Sequence, residues 1–86
     1  MTIVFEKKFI KMLGKLTNRE QKRFDERLQI FKANKNNPLL RDHQLHGPYA
    51  GYRSINIGGD LRAIYKFLPP EKFIFIGIGT HDKLYS

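Results

Sequence analysis

At 86 residues the chain has room for one small domain, residues 1–86, and its 41% apolar and 13% aromatic content is too rich for a disordered tail. The absence of Cys excludes disulfides, thiol catalysis and a cysteine zinc site, and no apolar run nears the roughly 18 residues of a membrane span. Sixteen Lys and Arg against eight Asp and Glu leave a net charge of +8, the sign of a domain that attracts nucleic acid or an acidic protein. A lipid surface fits less well, because no basic amphipathic helix of the membrane-binding kind is present. The first residues lack the basic, apolar, small-residue order of a signal peptide, so a soluble, cytoplasmic protein is expected.

Thr2 to Phe5 reads as a short first strand. Phe5, Phe9, Met12, Leu13 and Leu16 then recur at helical spacing, with Lys7, Lys8, Lys11 and Lys15 on the other faces. Thr17-Asn18-Arg19-Glu20 fits a capping box and starts a second helix that carries Phe24, Leu28 and Phe31. Asn34 to Pro38 stops it. The tight joint at Thr17 predicts an antiparallel helix hairpin. Asp42 to Gly51 reads as loop. Tyr52–Ile57, Asp60–Phe67 and Phe73–Ile78 read as strands, separated by turns at Gly58-Gly59 and at Pro69-Pro70-Glu71. Thr80 to Ser86 is expected to be a tail. The fold class is therefore α+β, in the order β-α-α-β-β-β, with the helix hairpin on one face of a twisted antiparallel sheet.

The turns set an expected register. Ile57 would pair with Asp60, Ile55 with Arg62 and Arg53 with Ile64; Phe67 would pair with Phe73, and Arg62 with Ile78. Asp60, Arg62 and the Thr80-His81 end would then meet at one edge. By alternation Leu61, Ala63, Tyr65, Phe67, Phe73 and Phe75 lie under the helices. Arg53, Asp60, Arg62 and Lys66 lie on the open side, together with Ile74, Ile76 and Ile78. Three Ile in water would need a partner to cover them. Residues 1–35 hold ten Lys/Arg against four Asp/Glu, a balance of +6, while residues 36–86 hold six against four, a balance of +2. The helices supply most of the field, and the sheet supplies the candidate chemistry.

That chemistry centres on His43, His46 and His81, with Asp60 and several Arg. Phosphodiester cleavage in RNA needs a base for the 2′-OH, an acid for the leaving oxygen and cations for the charged phosphorane. Imidazole and guanidinium suit those tasks. Each residue also has a plain reading. His46 beside Gly47-Pro48 fits a solvated loop, His43 a loop staple and Asp60 a turn-closing side chain. Arg53 and Arg62 fit cross-strand partners of acids, the helix lysines a solvated face and Tyr85 a terminal staple. Tyr49 and Tyr52 fit packing at a loop and a strand entry. No metal-ligand spacing and no phosphate-cradling Gly loop is present.

Four segments in order carry a more specific signal: Asp42-His43-Gln44-Leu45-His46-Gly47, Gly51-Tyr52-Arg53, Asp60-Leu61-Arg62-Ala63-Ile64-Tyr65-Lys66, and Gly79-Thr80-His81-Asp82-Lys83-Leu84-Tyr85. Together they resemble the RelE/ParE superfamily of type II toxins, in particular its YafQ and RelE/StbE branches. The resemblance implies a ribosome-dependent, metal-independent endoribonuclease without cofactors. Such a toxin cuts mRNA in the A site, beside 16S rRNA, by 2′-OH attack on the adjacent phosphate. A cognate antitoxin would inhibit it, and operator DNA would be met only through that complex. It further implies that His43, Asp60, His81 and Tyr85 belong to the active site and that Arg62 meets the scissile phosphate. His81 would act as acid and His43 or Asp60 as base. Arg53, Lys66, Lys11 and Lys15 are the further RNA-binding candidates, and Ile74, Ile76 and Ile78 the expected antitoxin strip. Asn56 stands where YafQ-like toxins carry another His, and Leu61 where that branch has a Trp. The alternative is a non-catalytic or gyrase-directed toxin of the same fold, or one that only binds its antitoxin; the His81 and Tyr85 pair argues for RNA cleavage.

Overall fold

Thr2, Ile3, Val4 and Phe5 are β-branched or aromatic, and in the computed structural model, which describes residues 1–85, they form β1 (Thr2–Phe5). The next segment is α1 (Lys7–Gly14), which buries Phe9 completely. Phe5 stays on the strand and stacks on Phe9 at 5.4 Å. The capping box is present: the Glu20 N–H donates to Thr17 Oγ1 at 3.1 Å, and the Thr17 N–H donates to Glu20 Oε1 at 2.9 Å. It opens α2 (Asn18–Ala33), whose Phe24, Leu28 and Phe31 are buried.

Asn37 accepts the Leu39 N–H and starts a short 3-10 turn at Pro38–Leu40. Two elements then appear where loop and tail are expected: a two-residue strand β2 (His43–Gln44) and a terminal helix α3 (His81–Tyr85). Ser86 of the expected tail lies outside the described residues. Between them run β3 (Arg53–Gly58), β4 (Leu61–Leu68) and β5 (Lys72–Thr80). The sheet order is β1-β5-β4-β3-β2, with β1 parallel to β5 and every other pair antiparallel. Both helices cross one side, α1 against β5 and α2 against β3.

Two irregularities correct the expected register. In β3 the ladder slips between Asn56 and Gly58, so Arg53 faces Tyr65, Ile55 faces Ala63 and Asn56 faces Arg62. Gly58 pairs with Leu61, which makes Gly59 and Asp60 the turn. Gly58 sits at φ 145, and a Cβ there would lie 2.3 Å from the Arg23 side chain. In β4 and β5 the expected Phe67–Phe73 pair holds, but the ladder shifts between Ile64 and Tyr65, so Ala63 faces Ile78 and Arg62 faces Gly79. One extra residue reverses the parity of everything beyond it.

The core records the outcome. Leu61, Ala63, Tyr65, Phe73 and Phe75 pack under the helices as expected, with Ile55, Ile57 and Leu40. Ile78 joins them at 2% exposure instead of facing the open side. Phe67, expected in the core, is 38% exposed and packs on Phe73 at 4.9 Å. Arg53 turns to the helix side with Tyr65, its ladder partner.

Candidate active site

The open side gathers residues from four strands. His43 pairs with Ser54, Ser54 with Ile64 and Ile64 with Gly77. The neighbouring row is Asn56, Arg62 and Gly79. Gly77 and Gly79 keep this row low. A methyl on Gly77 would touch Leu84 and Met12, and one on Gly79 would touch Leu84 and Lys83. Space is thereby left for α3 to fold back onto β5, where Leu84 is buried.

An aromatic brace holds α3 there. The Tyr49 hydroxyl donates to the Leu84 carbonyl at 2.7 Å, and Tyr49 packs edge-on to Tyr85 at 5.3 Å. Tyr85 lies 4.6 Å from the His81 ring. Tyr49 thus holds Tyr85 at the terminus, and α3 places Tyr85 beside His81. Tyr49 and Tyr52 pack on each other at 6.3 Å, as loop and strand-entry residues should.

The result is a shallow pocket of about 250 Å³ lined by His43, Leu45, Arg62, His81 and Tyr85. Two imidazoles, a guanidinium and a phenol thus meet from three separate segments. His43 Nδ1 lies 2.8 Å from the Arg41 carbonyl. A carbonyl only accepts, so Nδ1 carries the proton and Nε2 of the neutral ring is the free acceptor. His81 Nδ1 lies 3.9 Å from Asp82 Oδ1, and both side chains are largely exposed. Arg62 has no carboxylate partner among the described residues. The pocket can therefore accept a proton, donate one and hold an anion.

The other predicted residues stand elsewhere. Asp60 lies on the exposed β3–β4 turn and does not line the pocket, because the register places Leu61 rather than Asp60 opposite Thr80. Lys66 is exposed, with its amine 5.9 Å from the Tyr52 ring centroid. Lys11 and Lys15 belong to α1 and the joint after it. Lys15 borders a different groove, with Met12, Leu16, Leu61, Ile78 and Lys83. Ile74 and Ile76 are half-buried, and Ile74 sits between Val4 and Lys66. Ile78 is lost to the core, so the expected three-Ile strip does not exist.

Arg53 is spoken for. Its Nε donates to Asp42 Oδ1 at 2.6 Å, and the Tyr65 hydroxyl donates to Asp42 Oδ2. Lys35 Nζ stands 3.8 Å from the same carboxylate, whose side chain is only 4% exposed. Burial, and then the bond to Asp42, push the Tyr65 hydroxyl above its ordinary value; the bond to Asp42 raises Arg53. Neither the role of Asp42 nor Leu45 as a pocket wall follows from the sequence motifs. The available signal was alternation: in Asp42-His43-Gln44 the acid and the imidazole must point to opposite sides. Among the described residues, no group of three His, Asp or Glu stands close enough to hold a metal, and no helix is long and apolar enough to cross a membrane.

The five-stranded sheet with two helices crossing one side is a fold shared with toxins of RelE/ParE type. YafQ from E. coli strain BL21(DE3) shares this fold with a TM-score of 0.81 at 23% identity, covering 98% of this chain and 97% of that one. A chain of the E. coli DinJ–YafQ toxin-antitoxin complex gives a TM-score of 0.78 at 24% identity, covering 98% and 96%. A chain of the archaeal RelE–RelB complex from Pyrococcus horikoshii OT3 gives 0.72 at 18% identity, covering 92% of each. Comparison with curated protein sequences finds no match. The family model for YafQ, the bacterial toxin of a type II toxin-antitoxin system, matches residues 1–86, and the chain belongs to that family.

Proposed function

We propose that this chain is a ribosome-dependent, metal-independent endoribonuclease, a single toxin domain over residues 1–86 that cuts mRNA in the ribosomal A site. The observation that carries the reading is the convergence of His43, Arg62, His81 and Tyr85 on one pocket. With Nδ1 bonded to the Arg41 carbonyl, His43 offers Nε2 to take the ribose 2′-OH proton. The 2′-oxygen then attacks the adjacent phosphorus, forming a 2′,3′-cyclic phosphate and releasing the 5′-oxygen. His81 as imidazolium delivers the proton to that leaving oxygen. Arg62 offsets the added charge on the phosphorane. Tyr85 orients His81 and offers a face for a base. Asp60 is left out of this scheme because it does not line the pocket.

The net charge of +8 supports a polyanionic target such as mRNA and 16S rRNA. The complexes of DinJ with YafQ and of RelB with RelE support binding of this chain by a cognate antitoxin; inhibition by that partner, a cytoplasmic location and contact with operator DNA only through the complex are parts of the same proposal. Ile74 and Ile76 remain the candidate antitoxin contacts, with Val4 beside Ile74. The test is mapping of mRNA 5′ ends in a cell-free translation reaction, with a ribosome-free control. New ends in register with codons, only when ribosomes are present, are expected. Intact message with translation running would favour the non-catalytic or gyrase-directed alternative.

A further inference from the structure

The catalytic imidazole of His43 sits on the weakest element of the sheet. β2 has two residues and two ladder pairs, His43–Ser54 and Gln44–Arg53, and lies at an edge. So short an edge strand does not hold its own conformation. Two observations show what holds it. Asp42, immediately before His43, is a nearly buried carboxylate gripped by Arg53 Nε at 2.6 Å and by the Tyr65 hydroxyl. On its other side, Arg41 adopts φ 47 and ψ 44, a left-handed conformation uncommon for a residue with a Cβ. The Arg41 carbonyl is the group that receives His43 Nδ1.

We infer that Asp42, clamped by Arg53 and Tyr65, is a positioning residue that sets the tautomer and reach of His43. Asp42 points to the helix side, so alternation sends His43 to the open side and into the pocket. The clamp fixes the peptide between Arg41 and His43, and with it the carbonyl that keeps the proton on Nδ1. Without the clamp the strained Arg41 relaxes, the carbonyl turns away and the ring loses its fixed tautomer. The inference rests on the endonuclease reading for its catalytic consequence alone; the effect on the imidazole is independent of any substrate.

The test uses the full chain with Asp42→Asn, and with Tyr65→Phe as the milder variant in case the first fails to fold. Two readouts are taken: the ring-nitrogen NMR shifts of His43 at a pH where the ring is neutral, and kcat and KM for message cleavage in the translation reaction. In the wild type, His43 is expected as the Nδ1–H tautomer. In the variants it moves toward the mixed tautomers of a free imidazole, more in Asp42→Asn than in Tyr65→Phe. The expected loss in kcat is about 10-fold to 100-fold with KM within about twofold, as for a misplaced group. Arg53→Lys, which keeps charge near Asp42, is expected to retain more of the tautomer than Arg53→Met. A folded Tyr65→Phe with the wild-type His43 signature and wild-type kcat overturns the inference. A wild type that cuts no message while its variants still shift the His43 signal overturns the endonuclease reading and leaves the clamp standing.

Discussion

The two sides of the sheet are built on opposite terms. On the helix side, Phe5, Phe9, Phe24, Phe31, Tyr65, Phe73 and Phe75 form a continuous aromatic cluster with neighbouring ring centroids about 5–6 Å apart. Edge-on and tilted pairs of this kind add to the gain from burying the rings. On the open side, Tyr49, Leu84 and Tyr85 make a thin brace, and His43 and His81 stay exposed. The aromatic core lies on one side and the candidate site on the other. Under the proposed function, the difference implies that removing the pocket's side chains should leave the fold intact, while removing a core ring should cost both fold and activity.

The largest effect is expected from the open side. His81→Ala and His43→Ala should each lower message cleavage by about 10²-fold to 10⁴-fold, the range for a lost general acid or base. The urea midpoint should stay at the wild-type value, because both rings are exposed; a joint loss of fold would break the comparison. Next comes the helix side. Phe75 is fully buried against five other rings, and Phe75→Ala should cost about 3–5 kcal/mol of unfolding free energy in urea. Gly58→Ala forces a side chain to φ 145 and against Arg23, and should cost about 1–3 kcal/mol by the same measurement. Thr17→Ala removes one half of the capping box and should cost about 1 kcal/mol without touching cleavage.

The smallest effect is a pH dependence carried by Tyr65. Its folded pKa is raised above the ordinary value of 10.0. Below that value both folded and unfolded chains keep the proton, and the contribution to stability is complete. As the pH rises past it the unfolded chain releases its proton first, and the contribution erodes. The stability difference between the wild type and Tyr65→Phe should therefore narrow above pH 10, as read by urea unfolding on either side of that value. An unchanged difference would show that neither burial nor the Asp42 bond raises the Tyr65 hydroxyl.

Much of this was legible in the chain. The capping box, the helical Phe spacing and the alternating strands rest on local geometry, which a single sequence carries. The family resemblance came from four ordered segments; of the residues it singled out, His43, Arg62, His81 and Tyr85 line one pocket and Asp60 does not. Two elements were hidden. A two-residue strand has no period to read, and α3 is a single turn whose order comes from Leu84 packing on Gly77 and Gly79 and from the Tyr49 brace.

The sequence by itself determined the two long helices, the four longer strands and the family the chain joins, because propensity, capping and motif identity are properties of neighbouring residues. Only the tertiary structure decided the parity of the strands. One extra residue in β3 and another in β5 sent Ile78 into the core, turned Arg53 from the open side to Asp42 and left Asp60 on a turn. A bulge is settled by competition between whole ladders and the core they must cover, and that competition is invisible to any window of the sequence.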